Sequence, residues 1–186
     1  MKKYYFSSDY HMGHARVLIY DKRPFKTIEE HDVMILRNYN NTVTPEDDFY
    51  YLGDFCMMNT KKAEGYLSQM MGNKFFIKGN HDKRDMIKLY ERYGTYLGEQ
   101  KKITVHGQDI VLNHFAMRTW DKSHHGAYHL YGHSHGNIEH EPWGKSMDVC
   151  IILNDYKPFE FDDIDRILSK RDIKHLGDHH TARTTP

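Results

Sequence analysis

Short apolar runs separated by polar turns set the rhythm of this chain. Residues 3–8, 48–52, 74–78, 101–105, 109–113, 127–131, 145–153 and 159–161 gather Tyr, Phe, Ile, Val and Leu in brief stretches and read as strands. Longer stretches between them carry apolar residues at helical spacing. Thr27-Ile28-Glu29-Glu30 is a capping box that opens a helix with Ile28, Ile35 and Tyr39 toward the core, ended by Asn40-Asn41 and Pro45. Further helices are expected over residues 60–71, stopped by Gly72, and over 162–169. Another runs from an Asp82 cap through Met86, Leu89, Tyr90 and Tyr93 to Gly94. Residues 101–105 and 109–113 pair as a hairpin turned at His106-Gly107-Gln108. Residues 12–25, broken by Pro24, and 115–126 read as loops. Strands alternating with helices, followed by a strand-rich half, predict an α/β fold of two sheets packed face to face with helices outside. One domain is expected over residues 1–170, with a polar, flexible tail over 171–186 and no internal repeat.

Composition narrows the picture. A length of 186 residues suits one domain with a substantial core. Lys+Arg and Asp+Glu balance at 26 each, so no global field favours nucleic acid or an anionic membrane. Cys56 and Cys150 form no CxxC pair and sit among apolar residues, as small buried thiols do. No stretch is long and apolar enough to span a bilayer, and Met1-Lys2-Lys3-Tyr4 opens no secretory segment, so a cytoplasmic protein is expected. The 15 histidines stand out for this length.

Several of those histidines fall where strands end. Ser8-Asp9-Tyr10-His11, Gly53-Asp54, Gly79-Asn80-His81-Asp82, Asn113-His114 and Gly132-His133-Ser134-His135 each follow an apolar run. Asp9 and His11 stand two apart, so in extended chain they point the same way. Asp9, His11, Asp54, Asn80, His114, His133 and His135 together offer carboxylate, amide and imidazole donors without thiolate. That set suits Mn²⁺, Fe, Zn²⁺ or Ni²⁺. Seven donors are too many for one ion and fit two, about 3.5–4 Å apart, with Asp54 the natural bridge. Two such ions would make a hydroxide at neutral pH and polarise a phosphoryl oxygen. His81, next to Asn80, is free to act as general acid or hydrogen-bond donor. Taken singly, each of these residues is more commonly structural; the combination argues for metal. Arg23, Arg118 and His125 are candidate substrate contacts in loops, with ordinary loop residues as the competing reading.

The order Asp9-x-His11, Gly53-Asp54, Gly79-Asn80-His81-Asp82, His114, Gly132-His133-x-His135 resembles the calcineurin-like metallophosphoesterases. The resemblance spans residues 9–135 and implies a four-layer αββα sandwich, two mixed β-sheets flanked by helices, with a dinuclear site at the strand ends. It assigns Asp9, His11, Asp54 and His135 to one metal, and Asp54, Asn80, His114 and His133 to the other. His81 becomes the catalytic histidine and Mn²⁺ the foremost metal. The second block continues as Phe55-Cys56-Met57-Met58 rather than the Asp-Arg-Gly of the protein phosphatase branch, and the short chain is similar to small bacterial or phage-type members. The expected activity is a dinuclear-metal-dependent phosphodiesterase acting on a nucleotide or small phosphodiester through metal-activated hydroxide. The alternatives are a nuclease on nucleic-acid ends, disfavoured by the balanced charge, and a catalytically silent metal-binding interaction module, disfavoured by the intact His81. The expected partner is a small phosphoester or nucleotide substrate, not a membrane.

Overall fold

The computed structural model describes residues 2–174. In chain order the elements are β1 (Tyr4–Ser7), α1 (Val17–Tyr20), α2 (Ile28–Thr42), β2 (Asp48–Tyr51), α3 (Thr60–Leu67), β3 (Asn73–Ile77) and α4 (Arg84–Tyr93). They continue as β4 (Thr95–Gly98), β5 (Gln100–Val105), β6 (Gln108–Asn113), β7 (Tyr128–Tyr131), β8 (Ser146–Asp148), β9 (Phe159–Glu160) and α5 (Phe161–Leu168). One sheet has the order β4-β3-β2-β1-β9, parallel except for β9. The other has the order β5-β6-β7-β8, parallel except for β5. The fold is therefore α/β with two mixed sheets, as the alternation of elements predicts.

Period-two alternation along the strands builds two cores. Tyr5, Phe49, Tyr51 and Phe76 face helices α2, α3 and α4, burying Ile35, Tyr39, Leu67, Leu89 and Tyr90 with them. The Phe76 and Tyr90 rings stack at 4.3 Å. Phe6, Tyr50, Leu52 and Ile77 face the other way and meet Val105, Ile110, Leu112, Tyr128 and Leu130 of the second sheet, with Ile164 and Leu168 of α5. On the outer face of the second sheet, the loop after β6 lays Trp120 over His129 at 5.3 Å between ring centroids.

The parallel strands β1, β2 and β3 end on one edge, and β6 and β7 end beside them. Pairing continues past the strands: Asp9 N donates to the Gly53 carbonyl at 3.0 Å, His11 N to the Asp54 carbonyl at 3.0 Å, and Gly132 N to the His114 carbonyl at 2.9 Å. A bridge between Ser8 and Cys150 ties the first sheet to the run beyond β8. The chemistry-bearing turns are thus held by backbone ladders from both sheets.

Some elements differ from expectation. The 12–25 segment contains α1, one short turn whose Val17 is buried. Helix α3 stops at Leu67, because residues beyond it are tied to α2: Met71 N donates to Asn40 Oδ1 and the Tyr39 hydroxyl to the Met71 carbonyl. Asp82 does not cap α4; its carboxylate accepts from three backbone N–H groups at the site. β8 ends at Asp148, whose carboxylate takes the Cys150 N–H, and a 3₁₀ turn (Ile151–Asn154) follows where continued strand was expected. The opening of the expected flexible tail is anchored, since Arg171 donates to the Ser146 carbonyl and to Glu139. The remainder of that tail, residues 175–186, lies outside the described residues.

Candidate metal centre

The five strand-end turns converge on one centre. Asp9, His11, Asp54 and His114 form its buried floor. Asn80, His81 and His133 form an exposed rim, with His135 between. Asp9, His11, Asp54, His133 and His135 all adopt positive φ, from 46° to 66°. Asp and His tolerate this left-handed region better than most residues, and such strain concentrates at functional sites. The turns also need close backbone approach: a Cβ on Gly53 would lie 2.4 Å from Gly79 N, and one on Gly79 would lie 2.1 Å from Asp54 Oδ1.

Asp54 is held by a division of labour between its oxygens. Oδ1 accepts the His81 N–H at 2.8 Å, which fixes the carboxylate plane. Oδ2 faces the centre, 3.4 Å from His114 Nε2 and 3.9 Å from both His11 Nε2 and His81 Nε2. On one side of it, His11 Nε2 and His135 Nε2 face each other at 3.1 Å, and Asp9 Oδ1 lies 3.3 Å from His135 Nε2 and 3.7 Å from His11 Nε2. On the other side, Asn80 Oδ1 lies 2.9 Å from both His114 Nε2 and His133 Nδ1.

The surrounding shell decides what these atoms can be. His135 Nδ1 sits 2.8 Å and 2.9 Å from the two Asp21 oxygens, and His114 Nδ1 sits 2.7 Å from the Leu52 carbonyl. Both Nδ1 atoms therefore donate, and both Nε2 atoms turn a lone pair inward in the neutral ring. His135 then faces another imidazole nitrogen, and His114 faces an amide oxygen. Asp9 Oδ1 and His11 Nδ1 are buried with no hydrogen-bond partner. Acceptors crowded against acceptors need protons or cations between them. Protons are one answer. Burial opposes charge on His135, but Asp21 and Asp9 outweigh it and push its pKa up to about 10. Burial likewise opposes charge on His114, and Asp54 and Asp9 reverse it. Burial alone would raise the carboxyls of Asp9 and Asp54; hydrogen bonds from His11 and His135 hold Asp9 well below the usual range, and His114 lowers Asp54. Divalent cations are the other answer, and the donor set fits them: Asp9, His11 and His135 form one group able to hold an ion, and Asp9, Asp54 and His114 another.

Two further carboxylates support the centre from behind. Asp21 orients His135 across 114 positions of chain. Asp82 accepts from Gly79 N at 2.8 Å and Asp54 N at 3.0 Å, locking two of the turns together.

None of the three candidate substrate contacts is among the donors that converge at the centre. Arg23 is buried, with its guanidinium spent on Asp21, His31 and the carbonyls of Asp9 and Tyr10. It braces the first turn from behind and cannot reach a ligand, because burying a guanidinium requires that its donors be paired inside the protein. His125 stands with Gly107, Gln108 and Lys122 at the far end of β6 from His114, on the order of 20 Å along the strand. Arg118 is exposed and lies over the Trp143 ring at 5.0 Å.

No family model matches the chain. It is 32% identical over 178 residues to the uncharacterized protein MJ1445 of Methanocaldococcus jannaschii, a match covering 91% of this chain and 93% of that one. The chain belongs to the MJ1445 family. The gene 66 protein of Mycobacterium phage L5 is 28% identical to this family member over 163 residues, 73% of this chain and 78% of its own length. Among solved structures, a protein of unknown function from Aquifex aeolicus, AQ665, superposes with a TM-score of 0.70 at 24% identity, covering 89% of this chain and 99% of that one, and so shares the fold. YfcE, a phosphoesterase from E. coli, is a looser likeness, with a TM-score of 0.39 at 14% identity over 80% of this chain and 78% of the other. Among the described residues of this MJ1445-family chain, no helix is long and apolar enough to cross a membrane.

Proposed function

We propose that the chain is a divalent-cation-dependent phosphoester hydrolase, a phosphodiesterase acting on a nucleotide or other small phosphodiester, with Mn²⁺ the foremost metal. The observation that carries this reading is the inward-facing Asp54 Oδ2, standing between two convergent groups of donors. Cations bound there would supply an activated water and draw charge from a phosphoryl oxygen. Asp9, His11 and His135 would hold one with Asp54, and Asn80, His114 and His133 the other. The ordered strand ends resembling the calcineurin-like enzymes support the same assignment. A small substrate, rather than a polymer, accords with 26 cationic against 26 anionic side chains.

His81 completes the chemistry from the chain's side. Its ring is 46% exposed, on the solvent side of Asp54, and its backbone N–H is tied to Asp54 Oδ1. The imidazole is therefore free to meet a substrate and to protonate the ester oxygen leaving phosphorus. That hydrogen bond strengthens as charge develops on the oxygen, which lowers the barrier.

The test is turnover of bis-p-nitrophenyl phosphate by metal-stripped protein with and without Mn²⁺. Hydrolysis should appear only with the cation. His81→Ala should lose roughly 10²–10⁴-fold in kcat, the usual span for a positioned acid or base, while calorimetry still finds Mn²⁺ bound. Metal-independent turnover, or none on any diester or monoester, would defeat the proposal.

A further inference from the structure

Immediately beside His81 the surface opens into a pocket of about 340 Å³, with His81 as one wall. Met57, Met58 and Met86 form the apolar walls, and Asn59, Thr60 and Lys83 supply polar atoms. The volume is at the small end of organic-ligand sites, too small for a folded partner and large enough for a ring system. Polarizable thioethers pack well on flat aromatic faces. The polar groups are also available. Asn59 Oδ1 is committed to Lys62 N as the cap of α3, which leaves its amide NH₂ unspent. Lys83, the residue before α4, is exposed.

Position assigns the pocket a role. In-line displacement forms the new phosphorus–oxygen bond opposite the one that breaks. The ester oxygen departs with the bonding pair and takes a proton from His81, while the attacking water gives up its own proton to solvent. The departing group must therefore lie on the His81 side, where this pocket is the adjoining space. We propose that the pocket is a leaving-group subsite that selects a nucleoside, with the base's flat faces between Met58 and Met86 and its hydrogen-bonding edge toward Asn59 and Lys83. This rests on the phosphodiesterase reading and adds which side of the diester is recognised and by which residues.

The test separates the two claims. Full-length protein carrying ¹³C-methyl methionine and loaded with diamagnetic Zn²⁺ is titrated with adenosine and with thymidine. The Met58 and Met86 methyl resonances should move, while those of Met34 and Met147, which do not line the pocket, stay still. Thr60→Trp, a substitution at an exposed position that fills the pocket, should abolish the movement with the circular dichroism spectrum unchanged. Lys83→Ala should weaken the apparent affinity about tenfold. Still resonances at millimolar nucleoside, alongside Mn²⁺-dependent diester turnover, would overturn the subsite alone. Moving resonances without turnover of any diester would uphold a nucleoside site and overturn the hydrolase reading.

Discussion

Asp21 shows how much of the centre depends on residues that never face it. Its carboxylate holds His135 Nδ1 with both oxygens while Oδ2 also receives the buried Arg23 guanidinium. In the neutral ring, that contact fixes the tautomer whose Nε2 lone pair points inward. Asp21→Asn keeps the size and loses the charge. Substitution of such an outer carboxylate usually costs 10–100-fold in metal affinity, so Mn²⁺ titration by calorimetry should find binding at the His135 side weakened by about that factor. Equal affinities in variant and parent would remove Asp21 from the assembly. The contrast with Asp54 explains what the sequence discloses. Asp54, Asn80 and His114 each end an apolar run, and position after a strand is written locally. Asp21 meets His135 only through the folded chain, so no local pattern announces it. Arg23 fails for a related reason: its type and loop setting suggest a substrate contact, and only packing reveals a guanidinium enclosed behind Asp9.

Strand β7 makes the corresponding argument at the scale of an element. All four of its residues are buried, including His129, so its aromatic and apolar run is legible as a strand. Its neighbour β8 is shorter than its sequence suggests, because the Asp148 side chain competes for the Cys150 backbone donor. Helix α2 is predicted well because its cap is local: Thr27 Oγ1 does accept from Glu30 N at 3.2 Å. The buried histidine of β7 should leave a mark on stability. His129 Nδ1 lies 3.0 Å from the Val111 carbonyl, and Nε2 accepts the Met117 N–H at 3.1 Å, which requires the neutral ring. Burial outweighs its backbone hydrogen bonds and lowers its pKa from 6.5 to about 4. A depressed folded-state value means that the unfolded chain binds the proton first as pH falls. Stability from this group is therefore intact above 6.5 and is lost progressively toward 4, by at most about 3 kcal/mol. Chemical denaturation between those pH values should show a shallower acid loss for His129→Gln than for the parent, even if the variant is less stable at neutral pH. Parallel curves would exclude His129 as a source of acid lability.

At the scale of the whole molecule, the centre is a joint between two sheets. Asp9 and His11 follow β1, Asp54 follows β2 and Asn80 follows β3, all in the first sheet; His114 follows β6, and His133 and His135 follow β7, in the second. The interface between the sheets is otherwise apolar, closed by residues such as Phe6, Leu52, Leu112 and Leu130. A cation shared across the joint would therefore bind the folded state and find no preformed site in the unfolded chain. It would also compete with protons for the inward-facing nitrogens of His135 and His114, whose pKa values the neighbouring carboxylates raise, so binding should release protons and tighten as pH rises. Mass action then fixes the size of the effect: at one hundred times its dissociation constant, a ligand stabilises by about 2.7 kcal/mol. For a domain of this length, that corresponds to roughly 5–10 °C in Tm. Scanning calorimetry of metal-stripped protein should record that rise on adding Mn²⁺, with Mg²⁺ raising Tm less because these imidazole donors suit it poorly. Asp54→Asn should abolish most of the rise, since it removes the charge of the carboxylate whose Oδ2 stands between the His11 and His114 rings. His81→Ala should preserve the rise, since that imidazole is assigned to the substrate and not to the cations. A Tm indifferent to Mn²⁺ in the parent, or equally responsive in Asp54→Asn, would mean that the strand ends converge for packing alone.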